Sequence, residues 1–322
     1  MTLRIAMISN PLSERNRKGM GDIEAVVAGR PDVEHIRFEP GLDLKELLAG
    51  LAARGCDLLV LNSGDGLVHG ILGALMLGRA FETPPPLALL PRGMTNMTAA
   101  DAGLGGRSPA TLAKLLAIAD SGGIARHIVK RRVLKVDYDP GLPGERGMFF
   151  GAAGIYDGIH LCTGSIHTRG LTGSWASTAT IVTALARALL RGGSNTGLGG
   201  DEIGISLDGG PMRTAPRAIV LATTLDRLVV GTRPFWNPGS GSIHFTAIDH
   251  PPHGIIRHAW TILFGGKSRE LPDPPFLSRD ADRVELWLDR PFTIDGEFFR
   301  AAPGHPIVIT AEEPVRFVKL RR

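Results

Sequence analysis

The 322 residues carry 36 Lys and Arg against 32 Asp and Glu, a net charge of +4, with 43% hydrophobic and 21% charged residues. This is the balance of a globular chain long enough for two cores. It excludes a spanning helix, since no stretch approaches roughly 18 uncharged apolar residues and Trp175 to Leu190 is interrupted by Arg187. Met1 to Asn10 reads as a strand rather than a leader, and Cys56 and Cys162 give neither a disulfide framework nor a metal spacing. A cytoplasmic location is the expectation.

In chain order, Ile5 to Ile8 is a strand ending in Asn10-Pro11, followed by the basic Arg15-Asn16-Arg17-Lys18-Gly19. Asp22 to Gly29 is read as a helix, Val33 to Phe38 as a strand and Leu44 to Ala53 as a helix. The apolar run Leu58 to Leu61 then ends in Asn62 and the turn Ser63-Gly64-Asp65-Gly66, and Leu67, Ile71 and Leu75 resume with helical spacing. Such a strand–turn–helix junction aims free N–H groups and a helix N-terminus into one crevice, which suits phosphate. Gly64 and Gly66 remove Cβ atoms that would hold a phosphate away, and Asp65 sets a carboxylate beside it. A second strand, Leu87 to Leu90, runs into Pro91-Arg92-Gly93-Met94-Thr95-Asn96, and Thr111 to Ala119 closes the series as a helix. Alternation of this kind implies a mostly parallel sheet with ligands outside the carboxyl ends of its strands.

From His127 the pattern becomes one of short strands separated by Gly- and Pro-rich turns. Val133 to Tyr138, Met148 to Ala153, Glu202 to Leu207, Ala218 to Ala222, Ser242 to Ile248 and Arg283 to Leu288 are the candidates. They predict a β-rich sandwich or open barrel, interrupted by a helix over Trp175 to Leu190. The expected fold is therefore an α/β domain over 1–125 and a β-rich domain over 126–305, with 306–322 returning to the first.

At the residues Asn10-Pro11, Ser63 to Gly66, Pro91 to Asn96 and the late Asp295-Gly296-Glu297, the sequence resembles the diacylglycerol kinase catalytic family. That family includes soluble bacterial lipid kinases and the sphingosine and ceramide kinases. The resemblance implies ATP and Mg2+ as cofactors, with nucleotide between the two domains and a lipid hydroxyl as acceptor. It places Asn10, Pro11, Asn62, Ser63, Gly64, Gly66, Gly93, Thr95 and Asn96 at the nucleotide, and Asp65, Asp295 and Glu297 in the chemistry, Glu297 as proton acceptor. Read without the resemblance, Asp65 could cap the following helix, Asn96 could be a helix N-cap, and Asp295-Gly296 could be a plain hairpin turn. Asp157 lies where sphingosine kinases carry an acid near the lipid head group.

The chain departs from the family's pattern in places. Met94 and Met97 replace a hydroxyl and a carboxylate, and Gly70 stands where a Glu is usual. The stretch Trp236 to Ser242 has no acid, so the structural magnesium site of the soluble bacterial enzymes is not expected, and the metal ligands stay unassigned. Diacylglycerol is the favoured substrate. Sphingoid base or ceramide, an NAD kinase-like activity and a non-catalytic binding relative are the alternatives. Phe149-Phe150, Trp175, Ile181 to Leu190 and Phe235-Trp236 are candidate lining for acyl chains. The basic segments Arg126 to Arg132 and Arg316 to Arg322 predict peripheral contact with an anionic membrane surface, and no nucleic-acid motif is present. Oligomeric state is not legible.

Overall fold

The computed structural model describes residues 3–160, 200–236, 239–251, 253–265 and 271–320. Trp175 to Leu190, Cys162, Asn237, Pro238, Arg321 and Arg322 lie outside the described residues. The chain divides into two compact units, Met1–Arg131 with Glu313–Arg322, and Arg132–Glu312.

The first unit is built on parallel strands. β1 (Ile5–Ser9), β2 (Val33–Arg37), β3 (Leu58–Ser63) and β4 (Leu87–Pro91) lie in the order β2-β1-β3-β4. Every residue of β1 and β3 is buried, as expected of parallel strands covered on both faces. Helices α1 (Gly21–Val27), α2 (Leu44–Ala53), α3 (Asp65–Gly78), α4 (Met97–Ala102) and α5 (Pro109–Asp120) cover them. α1 and α5 pack through Ile23, Leu112, Leu115 and Leu116 onto Ile5, Met7, Leu58, Val60, Ala88 and Leu90. α2 packs on α3. The Asp43 carboxylate accepts the Lys45 and Glu46 N–H groups, which fixes the start of α2 at Leu44.

Register carries the consequence for function. Ser9 pairs with Asn62 and Ser63 with Pro91, so β1, β3 and β4 end level with one another. The three loops that follow, from Asn10, Gly64 and Arg92, leave from one edge of the sheet.

The second unit is antiparallel and strand-rich. It contains most of β5 (Ile128–Asp137), then β6 (Glu145–Gly147), β7 (Phe149–Ala153), β8 (Asp201–Leu207), β9 (Arg213–Thr223) and β10 (Ile243–Asp249). Helix α6 (Ile255–Phe264) follows, then β11 (Phe276–Ala281), β12 (Arg283–Trp287), β13 (Phe292–Ile294), β14 (Glu297–Phe299) and β15 (Ile307–Val318). Leu134, Val136, Phe150, Ile203, Val220, Phe245, Val284, Phe292 and Ile307 share its core. β15 is one continuous strand. It pairs with β12 from Ile307 to Thr310, then returns to the first unit, where Phe317 pairs with Leu87. Among the described residues no helix is long and apolar enough to cross a membrane.

Candidate active site

In the first unit the three loops are joined by backbone contact. An ideal Cβ at Gly64 would lie 2.9 Å from the Gly93 Cα, and one at Gly93 would lie 2.5 Å from the Gly64 Cα. Real Cβ atoms do not approach that closely, so glycine is required at both positions. Gly64 holds an ordinary extended conformation, so its requirement comes from this contact and not from its φ. Gly66, the next glycine, is exposed in the first turn of α3.

Polar groups complete the junction. The Gly64 N–H donates to Ser13 Oγ at 3.2 Å. Asn10 Oδ1 accepts the Leu12 N–H at 2.9 Å, while Asn16 Nδ2 donates to the Asn10 and Asn62 carbonyls. Pro11 and Thr95 are half-buried, and Ser63 Oγ donates to the Gly64 carbonyl. Asn96 sits at the start of α4 with a left-handed φ of 50°. Its side chain makes no cap. Instead Oδ1 accepts the Gly93 N–H at 2.7 Å and Nδ2 donates to the Gly93 carbonyl at 2.6 Å, closing the loop on itself. The cap of α4 comes from Asp65, whose carboxylate accepts the Met97 N–H at 3.0 Å and the Thr98 N–H at 3.4 Å. Asp65 therefore caps the helix of the neighbouring loop rather than its own.

A residue that the sequence reading passed over lies at the centre. Arg92 is buried, with 8% of its surface exposed. Its Nε donates to Asn62 Oδ1 at 3.1 Å, and its Nη2 is buried with no hydrogen-bond partner among the described residues. Burial pulls the guanidinium pKa below its ordinary value; Asp22 opposes this, and Arg15 and Arg107 push the same way. Arg15 shows the same lowering by burial, reinforced by Arg107 and opposed by Glu14. The Arg15 N–H donates to the Arg92 carbonyl at 3.0 Å. A half-paired buried cation with two more arginines in its field is a site short of an anion. Its one signal in the sequence was Arg92 inside Pro91-Arg92-Gly93.

Gly70 has a packing reason. A Cβ there would lie 2.8 Å from Leu44 Cδ1, the movable end of a side chain, so glycine eases the packing of α2 on α3 without being required for it.

The second unit carries the late Asp-Gly-Glu as a hairpin between β13 and β14, with Ile294 opposite Glu297. Asp295 and Gly296 both have positive φ, 51° and 96°, the pattern of a two-residue turn that Asp-Gly favours. The Asp295 carboxylate is bound to backbone: Oδ1 and Oδ2 accept the Met148 N–H at 3.1 and 3.0 Å, and Oδ1 accepts the Phe149 N–H at 3.0 Å. Glu297 is exposed on β14. The two carboxylates thus differ in kind: one ties a turn to β7, and the other faces water. Asp157 pairs with Arg290 at 2.7 Å.

Of the proposed apolar lining, Phe149 and Phe150 are buried, Phe150 within the core. Trp236 borders a cavity of about 580 Å³ shared with Ile205, Leu207 and Phe276 and rimmed by Arg213 and Arg279. Among the described residues no group of three or more His, Cys, Asp or Glu side chains is placed to hold a metal ion.

Residues 4–126 match the diacylglycerol kinase catalytic domain. The match spans the Asn10, Gly64 and Gly93 loops and ends before the Asp295–Glu297 hairpin. A search of curated proteins finds no significant match. Among solved structures, a diacylglycerol kinase from Bacillus anthracis str. Sterne is 16% identical, with 98% of this chain and 96% of that chain covered at a TM-score of 0.63. Another from the same organism, described as a "putative diacylglycerol kinase", is 18% identical over the same shares at a TM-score of 0.65. At these identities the likeness is one of fold.

Proposed function

We propose that the chain is an ATP- and magnesium-dependent lipid kinase, with diacylglycerol as its preferred acceptor. The observation that carries this is the buried Arg92 Nη2 without a partner, set against the glycine–glycine contact of two kinase-domain loops. Arg92 and the Gly64 and Gly93 loops would hold the nucleotide, which would supply the γ-phosphoryl group, and magnesium would neutralise its charge.

The chain's own residues do the rest. Phosphoryl transfer asks the protein for positioning and charge more than for covalent chemistry. Arg92, with Arg15 and Arg107 behind it, offers positive charge to the phosphates, and the Gly64–Gly93 contact keeps the loops free of Cβ atoms where phosphate approaches. Asn10, Pro11, Asn62, Ser63, Gly66, Thr95 and Asn96 shape the same crevice. Asp65 holds α3 and α4 in one arrangement and keeps carboxylate charge at the nucleotide. Glu297 would accept the proton of the lipid hydroxyl as the hydroxyl oxygen bonds to the γ-phosphorus and the bond to the bridging oxygen breaks, releasing ADP, and Asp295 orients the hairpin that presents it.

Sphingoid base or ceramide is the second acceptor class, favoured by the Ser63-Gly64-Asp65-Gly66-Leu67 loop. Incubating the purified protein with γ-labelled ATP, magnesium and a panel of diacylglycerol, sphingosine, ceramide and NAD tests the reading. Label in phosphatidic acid supports it, label in a sphingolipid phosphate moves the acceptor, and label only in NADP refutes the lipid reading.

A further inference from the structure

Helix α6 packs one face on the second unit and leaves the other uncovered. Ile255, Thr261 and Ile262 are buried, and His258 meets the Phe276 ring edge-on at a centroid distance of 5.4 Å. Three and seven residues from Arg257, on the opposite stripe, Trp260 is 70% exposed and Phe264 37% exposed. Their rings lie against each other at a centroid distance of 4.4 Å, so they form one aromatic patch.

A turn is tied to the same helix by its backbone. The Arg233 N–H donates to the Leu263 carbonyl at 2.7 Å, and the turn before it is closed by the Leu228 N–H on the Thr232 carbonyl. At its tip Val230 is 67% exposed with a φ of 56°. A β-branched residue in the left-handed region is strained, and an apolar one held there in water needs a reason.

The exposed charged side chains of helix α6 and of segment 227–236 are cations, with Asp226 exposed one residue before that segment. Arg233, His253 and Arg257 are exposed beside it, and neither 227–236 nor 251–265 contains an Asp or Glu. A second copy of this face would meet its own cations, so self-association is disfavoured. Aromatic side chains ringed by Arg suit the headgroup zone of a bilayer. The predicted basic segment Arg126 to Arg132 is partly consumed by the protein itself, since Arg131 pairs at 2.6 Å with the buried Asp101.

We infer that the outer face of α6, with the Val230 turn, is a docking surface for an anionic phospholipid bilayer, into whose interface Trp260 and Phe264 insert. Phe276, against which the inner face packs, also borders the cavity of the second unit, so docking sets that cavity beside the membrane. The choice of a bilayer rests on the lipid-kinase reading.

The test is co-sedimentation of the full chain with phosphatidylcholine vesicles, with and without phosphatidylglycerol. The double variant Trp260→Ser, Phe264→Ser should bind the anionic vesicles at least about tenfold more weakly, with unchanged melting temperature. Arg257→Glu should lose only the preference for phosphatidylglycerol. Turnover on a short-chain diacylglycerol in solution should not change in either variant. Undiminished vesicle binding by the double variant overturns the inference. So does a wild-type dimer that the variant converts to monomer while vesicle binding persists. If no lipid is phosphorylated yet the aromatic pair still governs vesicle binding, docking stands and the kinase reading alone falls.

Discussion

The carboxylate of Asp65, the first residue of α3, accepts the Met97 N–H at 3.0 Å where α4 begins. The residue that opens one helix therefore caps the next, and the two loops that precede those helices cannot shift independently. A carboxylate is favoured at both places by the helix dipoles and the unpaired N–H groups. Asp65→Ala should cost about 1 kcal/mol through the lost cap, and Asp65→Asn, which keeps an acceptor oxygen, less. Both should abolish phosphoryl transfer. Thermal melts run beside turnover separate the effects, and wild-type turnover in the Asn variant would remove Asp65 from the chemistry.

Alanine at Gly93 or Gly64 forces the two loop backbones apart. The expected loss is about 1–3 kcal/mol for either, larger at Gly93, where the new Cβ would come closer to backbone. Nucleotide affinity should fall with stability. A Gly93→Ala protein that melts like the wild type would show that the loops do not touch as described.

Asp295 and Glu297 should separate cleanly. Asp295→Ala leaves the Met148 and Phe149 N–H groups without their acceptor and should cost about 1–3 kcal/mol. Glu297→Gln touches none of these bonds, so its melting should not change, while kcat falls by about 10²–10⁴-fold with nucleotide affinity retained. A loss confined to nucleotide binding would make the hairpin a nucleotide element instead.

How far the sequence revealed this arrangement depends on where the burial comes from. The β3 strand, its glycine turn and α3 were legible because an apolar run, a turn signature and a helical period follow one another without a gap. The bounds of α2 were legible as well, and the structure adds the Asp43 cap that fixes its start. Arg92 was not, because an arginine between proline and glycine reads as a solvated loop residue. Only the fold, by bringing Asn62 of β3 beside it, makes it a buried cation. Helix α4 escaped because Thr98 and Asp101 occupy two of its buried positions and blur the apolar pattern. Helix α6 was also missed. The Asp295-Gly296 turn was visible in two residues, but what its carboxylate binds depends on β7, far away in sequence.

His35 gives the stability a pH dependence. Burial lowers its pKa from 6.5, with Arg37 adding to the effect and Glu24 opposing it. The unfolded imidazole then binds a proton more tightly than the folded one, so the contribution is complete above about 6.5 and declines as pH falls below it. Its Nε2 lies 2.9 Å from Ser9 Oγ, which already accepts a hydrogen bond from Asn62 Nδ2. The melting temperature should drop between about pH 7 and about pH 5, and less so in His35→Gln. Equal slopes in the two proteins would assign the drop to other groups.

The most direct measurement is transfer of γ-label from ATP to diacylglycerol in mixed micelles with magnesium, run for the wild type, Asp65→Asn, Glu297→Gln and Arg92→Gln. The account predicts magnesium-dependent phosphatidic acid from the wild type and none above background from Asp65→Asn. It predicts a kcat defect in Glu297→Gln and a weakened ATP affinity in Arg92→Gln. Wild-type protein that binds ATP but labels neither diacylglycerol nor any sphingolipid would contradict it.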